Sequence, residues 1–290
     1  MIKFGIVGSD NSHAEAFSQL CNLEKGFGGL KVEDAKVVAI YGQEPKRTEE
    51  VARNGQIPSI IEKVEHMIGL VDAVLVVFRH GGLHASHALP FIEAGIPTFV
   101  DKPFAVAPKD AEQMLGAARK RNTLLTSFST LRFAKSTREL LEKLKSAGPL
   151  LTGSITGPVS LTNEYGGLHF YGCHVTELMA GIFGYGVREV RAIDHKNNVH
   201  ATVLFQDDRI VNLQFLGNAR SIFYATALGK DGSGQCEVDT SGCYKDGLEV
   251  VLEMIRSKKR PLTDEQLLET VRVTDAVVRS YQQKGTAISL

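Results

Sequence analysis

Over residues 1–130, short β-branched runs alternate with longer segments whose apolar residues recur at helical spacing, and this rhythm constrains the fold more than any other feature. The strand-like runs fall at 3–7, 36–41, 72–78, 98–100 and 123–128, and the amphipathic segments at 14–23, 47–53, 61–68 and 110–121. Strands that alternate with helices require right-handed crossovers, and these build a parallel sheet covered on both faces. Such sheets take ligands at the carboxyl ends of their strands, where the strand order reverses.

The rhythm then changes. Residues 134–146 read as an exposed amphipathic helix ended by Gly148 and Pro149, and a further helix is expected near 175–182. Closely spaced strand-like runs follow at 187–193, 199–205, 210–215 and 221–228. Asp207, Asp208, Gly217 and Asn218 supply turn chemistry between them. Successive strands joined by short turns pair antiparallel. Helices over 247–257 and 264–283 complete the chain. The expected fold class is therefore α/β. Residues 1–127 are expected to form a Rossmann-type doubly wound parallel sheet, and residues 128–290 an α+β domain on a mostly antiparallel sheet.

Lys plus Arg and Asp plus Glu balance at 33 each, so no overall field favours nucleic acid or an anionic membrane as a partner. No stretch reaches the roughly 20 apolar residues that span a bilayer. The apolar start, MIKFGIVG, breaks at Ser9 and Asp10 and reads as a first strand rather than a secretion signal. Cys21, Cys173, Cys236 and Cys243 show no paired spacing, as expected of free thiols in a reducing, cytoplasmic compartment.

The first strand runs into Gly8, Ser9, Asp10, Asn11, Ser12 and His13. In the dinucleotide fingerprint GxGxxG, glycines allow a tight turn, close approach of the pyrophosphate and close helix packing. Here only the first is glycine, since Asp10 and His13 hold the second and third positions. Ser12 and Glu15 read as a capping box, so a helix N-terminus still follows the strand and offers N–H groups to a phosphate. The carboxylate of Asp10 is the misfit beside such a group. The second strand ends at Tyr41, Gly42, Gln43 and Glu44 without the usual Asp, and Lys46 and Arg47 follow. This basic pair tilts the expected cofactor, NAD or NADP, toward NADP.

The run from Asp72 to Phe78 leads to Arg79, His80 and a helix from His84, and the next run delivers Asp101, Lys102 and Pro103 at its carboxyl end. A lysine there faces the ligand crevice, where it can polarise a hydroxyl or carbonyl oxygen. These segments, with the Gly5–Gly8 strand end and Leu131, Arg132 and Phe133, resemble the Gfo/Idh/MocA oxidoreductases, named in part for glucose-fructose oxidoreductase and inositol dehydrogenase. Lys102 matches the lysine of the family's E/D-K-P motif. The segment from Gly166 through His169, Tyr171 and His174 to Glu177 resembles its later G-x-H-x-x-D/E motif. The resemblance is close to about residue 190 and looser beyond.

The resemblance implies hydride transfer between a nicotinamide and a sugar, polyol or related hydroxy compound. His174 would be the acid/base, with Lys102 its partner and Glu177 the carboxylate of the set. Lys102, Arg132, His169, Tyr171 and His174 would meet the substrate. Gly8, Ser9, Asp10, Asn11, Ser12, His13, Gly42, Arg79, His84, Asp101 and Lys102 would meet the cofactor. It also implies a homodimer or homotetramer that buries the open face of the second sheet. No metal is expected, because His169, His174 and Glu177 lack a strong metal spacing. One departure stands out: where the family carries an aspartate four residues before the histidine, this chain has Phe170. With Asp10, it motivates the rival expectation of a non-redox sensor or binding protein on the same fold.

Overall fold

A strand of alternating packing cannot stay at an edge when both its faces are apolar, and Ile2–Val7 (β1) lies accordingly in the middle of the first sheet. In the computed structural model, which describes residues 1–290, it is followed by Ser12–Asn22 (α1), Ala35–Tyr41 (β2), Pro45–Asn54 (α2), Ser59–Ile60 (β3) and Ala73–Val76 (β4). Next come His84–Glu93 (α3), Thr98–Val100 (β5), Pro108–Arg121 (α4) and Leu125–Ser127 (β6). The six strands are all parallel in the order β3-β2-β1-β4-β5-β6. The order reverses between β1 and β4, which opens a crevice at their carboxyl ends.

The second unit runs through Lys135–Leu144 (α5), Leu150–Pro158 (β7), Leu168–Phe183 (α6), Val187–His195 (β8), Asn198–Phe205 (β9), Ile210–Leu216 (β10), Tyr224–Gly229 (β11), Ser233–Glu237 (β12), Cys243–Ser257 (α7), Asp264–Gln282 (α8) and Ile288–Ser289 (β13). Its sheet has the order β12-β11-β7-β10-β9-β8-β13. Val211, Leu213 and Phe215 of β10 are buried on one face, while Ile210 and Asn212 point to the open one. The last helices return to the first unit: Leu248, Val251, Leu252 and Met254 of α7 join the core built by β1, β2 and β4.

Several elements depart from the sequence reading. The expected helix at 61–68 is a single 3₁₀ turn, Val64–Met67, preceded by the short strand β3. The central strand β7 was not anticipated, because Thr and Gly dilute its apolar alternation. It inserts between β10 and β11 and pairs parallel with β10, so those two successive strands are not neighbours. Ser12 is not the cap of α1. Asn11 takes that place, accepting from His13 N–H at 3.3 Å, and Glu15 bonds Arg47 and Asn54 instead.

Candidate active site

Two cavities lie along the crevice and share one residue, Arg79. The larger, about 600 Å³, is bounded by Ser9, Asp10, Gln43, Glu44, Arg47 and Leu83. The smaller, about 440 Å³, lies between the two units and holds Lys102, Tyr171 and His174 with Asn11, Ser12 and His13.

The turn after β1 forms the floor of the larger cavity. Gly8 has φ +110°, and a Cβ there would stand 2.8 Å from the Phe78 nitrogen, so only glycine fits. Gly42 ends β2 in a similar close approach, with Ser9 Oγ 2.1 Å from where its Cβ would be. Asp10 turns onto the backbone, its Oδ2 accepting from Arg79 N–H at 3.2 Å. The turn therefore keeps the cradle a dinucleotide diphosphate needs, and the residues present fit that group. Arg47 is committed elsewhere, to Ser9 O (3.2 Å), Glu15 (3.0 Å) and Glu50 (2.7 Å). Glu44 lines the cavity beside it.

Lys102 follows β5, is 3% exposed and has no carboxylate partner. Its Nζ donates to Phe170 O at 3.4 Å and lies 4.5 Å from the Phe170 ring centre and 5.4 Å from that of Tyr171. These cation–π contacts offset part of the cost of burying the ammonium. The preceding Asp101 is fully buried and does not itself line a cavity, although its partners His13 and Asn11 both line the smaller one. Its Oδ2 lies 2.5 Å from His13 Nδ1 and 3.3 Å from Asn11 Nδ2. Burial opposes ionisation of Asp101, but His13 and Lys102 outweigh it and hold the carboxyl below its usual range.

His174, on α6, lies against Ser129 just beyond β6, with Nδ1 and Oγ 2.6 Å apart. The Ser129 hydroxyl also accepts from Leu131 N–H at 3.3 Å. Either atom can donate across this contact; when the hydroxyl does, the neutral imidazole carries its N–H on Nε2, which has no protein partner and lies on the cavity side. Burial, aided by Lys102 and His13, pushes the His174 pKa well below the ordinary histidine value. His174 is therefore neutral at pH 7.

Other anticipated residues lie elsewhere. Glu177 points away from the cavity and pairs with Arg132 at 3.2 Å, and Arg132 also donates to the Tyr185 hydroxyl at 2.6 Å. Neither lines these two cavities, although Glu177 and Lys102 both border a small gap beside Cys173 and Thr176; the pair braces α6 against the Thr130–Phe133 turn. His169 is buried with its Nδ1 unpartnered and lines neither cavity. His84 is fully buried between the Phe78 and Pro103 carbonyls, at 2.9 and 2.8 Å, and ties two strand ends together. Cys173 has its thiol pushed up to about 12 by burial, which leaves it unreactive.

The sequence reading missed Ser129 and the Ser221, Thr240 and Tyr244 side of the smaller cavity. Ser129 carried a usable signal, because it follows a parallel strand. Tyr244 carried none. Its ring packs 4.8 Å from that of His13 only because α7 folds back onto α1.

Residues 2–128 match the model of an oxidoreductase family with an NAD-binding Rossmann fold, GFO_IDH_MocA. The chain is 25% identical over 150 residues to scyllo-inositol 2-dehydrogenase (NADP(+)) IolU of Bacillus subtilis, a match covering 51% of this chain and 43% of that protein. It is 29% identical over 120 residues to 1,5-anhydro-D-fructose reductase of Ensifer adhaerens, covering 41% of this chain and 36% of that protein. These matches span less than half the length of either relative. Scyllo-inositol dehydrogenase from Lactobacillus casei, solved with NAD(H) and scyllo-inositol, superposes with a TM-score of 0.83 at 15% identity over 100% of this chain and 99% of its own. That likeness extends the shared fold through both units.

Proposed function

Because its first unit is that of a Gfo/Idh/MocA oxidoreductase, we propose that this protein is an NAD(P)-dependent dehydrogenase or reductase acting on a CH–OH group of a sugar, polyol or related hydroxy compound. The observation that carries the reading is the junction of the two cavities at Arg79, which sets a diphosphate cradle beside a pocket holding Lys102 and His174. When bound, the nicotinamide supplies or accepts the hydride.

The chain's own residues handle the oxygen and its proton. Lys102 stabilises charge developing on the substrate oxygen. During reduction His174 enters the step protonated on both nitrogens by uptake of a solvent proton, Ser129 Oγ accepts from Nδ1–H, and Nε2–H passes to that oxygen, leaving the ring neutral. During oxidation the Ser129 hydroxyl turns to accept from Nδ1–H, which frees Nε2 to take the hydroxyl proton. A hydroxyl serves either tautomer, as a carboxylate could not. Ser129 is thus a positioning residue. Ser129→Ala is expected to lower kcat by roughly tenfold to a hundredfold, as for loss of a general acid–base alignment, with KM little changed. Steady-state kinetics check this, and an unchanged kcat removes Ser129 from the mechanism.

The test of the whole reading is titration of the cofactor-stripped protein with NADH and NADPH, followed by nicotinamide fluorescence. Micromolar binding is expected. The commitment of Arg47 to two carboxylates and the presence of Glu44 in the cavity favour NADH, reversing the tilt suggested by the basic pair. Binding of neither dinucleotide defeats the redox reading and leaves the non-redox binding protein.

The second sheet leaves Ile193, Ile210 and Leu228 exposed on its open side, and a second copy of the chain covering that face makes a homodimer or, by pairing of two dimers, a homotetramer. Light scattering should return a multiple of the 31.6 kDa chain; a monomer contradicts it. No helix is long and apolar enough to cross a membrane. The four unpaired cysteines suit a reducing, cytoplasmic setting.

A further inference from the structure

None of the fifteen residues lining the smaller cavity is acidic, although the cavity contains a buried ammonium. We propose that the substrate carries a carboxylate, which lies against Lys102. The proposal takes the substrate position from the reading above and adds its charge class.

An ammonium that is 3% exposed needs a counter-charge, and the protein places none in contact with it. The nearby carboxylates are turned to other partners: Asp101 to His13 and Asn11, Glu177 to Arg132, and Asp10 to the Arg79 backbone. Asp101 adjoins Lys102 in the chain and relieves part of the cost, but it sits outside the cavity. One turn before His174, where a carboxylate would pair with the lysine, the ring of Phe170 stands 4.5 Å from Nζ. The cavity wall thus contributes a cation and a ring face with no acid in its lining.

The remaining polar lining extends the match. Neutral His174 offers an N–H, and Ser221, Thr240 and Tyr171 offer hydroxyl protons. Arg79 borders both cavities and can serve the dinucleotide, which leaves Lys102 as the cation for the substrate. A hydroxylated carboxylate, such as an aldonic or uronic acid, answers all of these groups: its charge pairs with Lys102, and its hydroxyls use the rest. A single ammonium suits a monoanion better than a phosphate dianion.

The test is calorimetric titration of the dinucleotide-loaded protein with matched pairs, glucuronate against glucose and gluconate against glucitol, and with glucose 6-phosphate as a third arm. At least one acid is expected to bind about tenfold or more tightly than its neutral partner, the increment of a charge-assisted contact. That preference should fall with added salt and shrink to within about threefold in Phe170→Asp and in Lys102→Gln. Thermal melts establish that both variants are folded. Phe170 is only partly buried, so its replacement is tolerable. If no acid binds more tightly than its neutral partner, including the case of no binding, the proposal is overturned. Tighter binding of the phosphate overturns the carboxylate assignment as well. Dinucleotide binding is measured first by fluorescence. Its failure defeats the redox reading alone, because the same sugar titrations on cofactor-free protein still report the charge preference.

Discussion

Lys102→Ala should lower turnover by roughly a hundredfold to a thousandfold, the usual consequence of removing one donor that meets charge developing in the transition state. Dinucleotide affinity should hardly change, because Lys102 lines the smaller cavity and not the larger one that holds the turn after β1. The same substitution should raise the melting temperature of the ligand-free protein. It removes an ammonium that is 3% exposed and balanced in contact only by a carbonyl and two aromatic rings. Gain of stability with loss of rate is the signature of a group held for function. Turnover, fluorescence titration and thermal melting on one preparation separate the three effects. Retained turnover shows that Lys102 does no work on the reacting oxygen.

The site was legible in the sequence where function depends on the end of a parallel strand. Lys102 was found because β5 delivers it, and Gly8 because β1 ends in a turn that only glycine can make. His174 came from a motif, and its neighbour Ser129 was missed although β6 leads to it by the same rule. What the sequence could not convey was direction on a helix whose faces are nearly all buried. In α6, His169, His174 and Glu177 are all buried, and apolar periodicity does not say which points to the cavity. Only His174 does. Direction was equally illegible at Asp101: its neighbour Lys102 lines the smaller cavity, while its own carboxylate pairs with His13. The insertion of β7 between β10 and β11 was illegible for another reason. Chain order predicts neighbours only when connections are short, and all of α6 separates β7 from the strands that follow.

Glu177, which the motif suggested for catalysis, and Arg132, which was expected to meet the substrate, should prove a structural pair, and breaking it should produce the largest loss of stability. Arg132 and Glu177 are both buried and 3.2 Å apart, and Arg132 also donates to the Tyr185 hydroxyl. Arg132→Met leaves a buried carboxylate without its cation, at a cost of about 3–5 kcal/mol. In a chain of this size that lowers Tm by on the order of 10 °C. Burial already raises the Glu177 pKa while Arg132 opposes the rise, so removing Arg132 raises it further. The carboxyl then stays protonated to a higher pH, and the loss should be smaller in acid and grow as pH rises through that value. Adding Glu177→Gln to Arg132→Met should restore much of the stability, since an uncharged amide has no need of the guanidinium. The activity readout separates the two roles. As a brace for Ser129, Glu177→Gln alone should cost kcat no more than about tenfold, leaving the pH profile unchanged. A loss as deep as that of a His174 variant, with a titration removed from the profile, returns Glu177 to the chemistry.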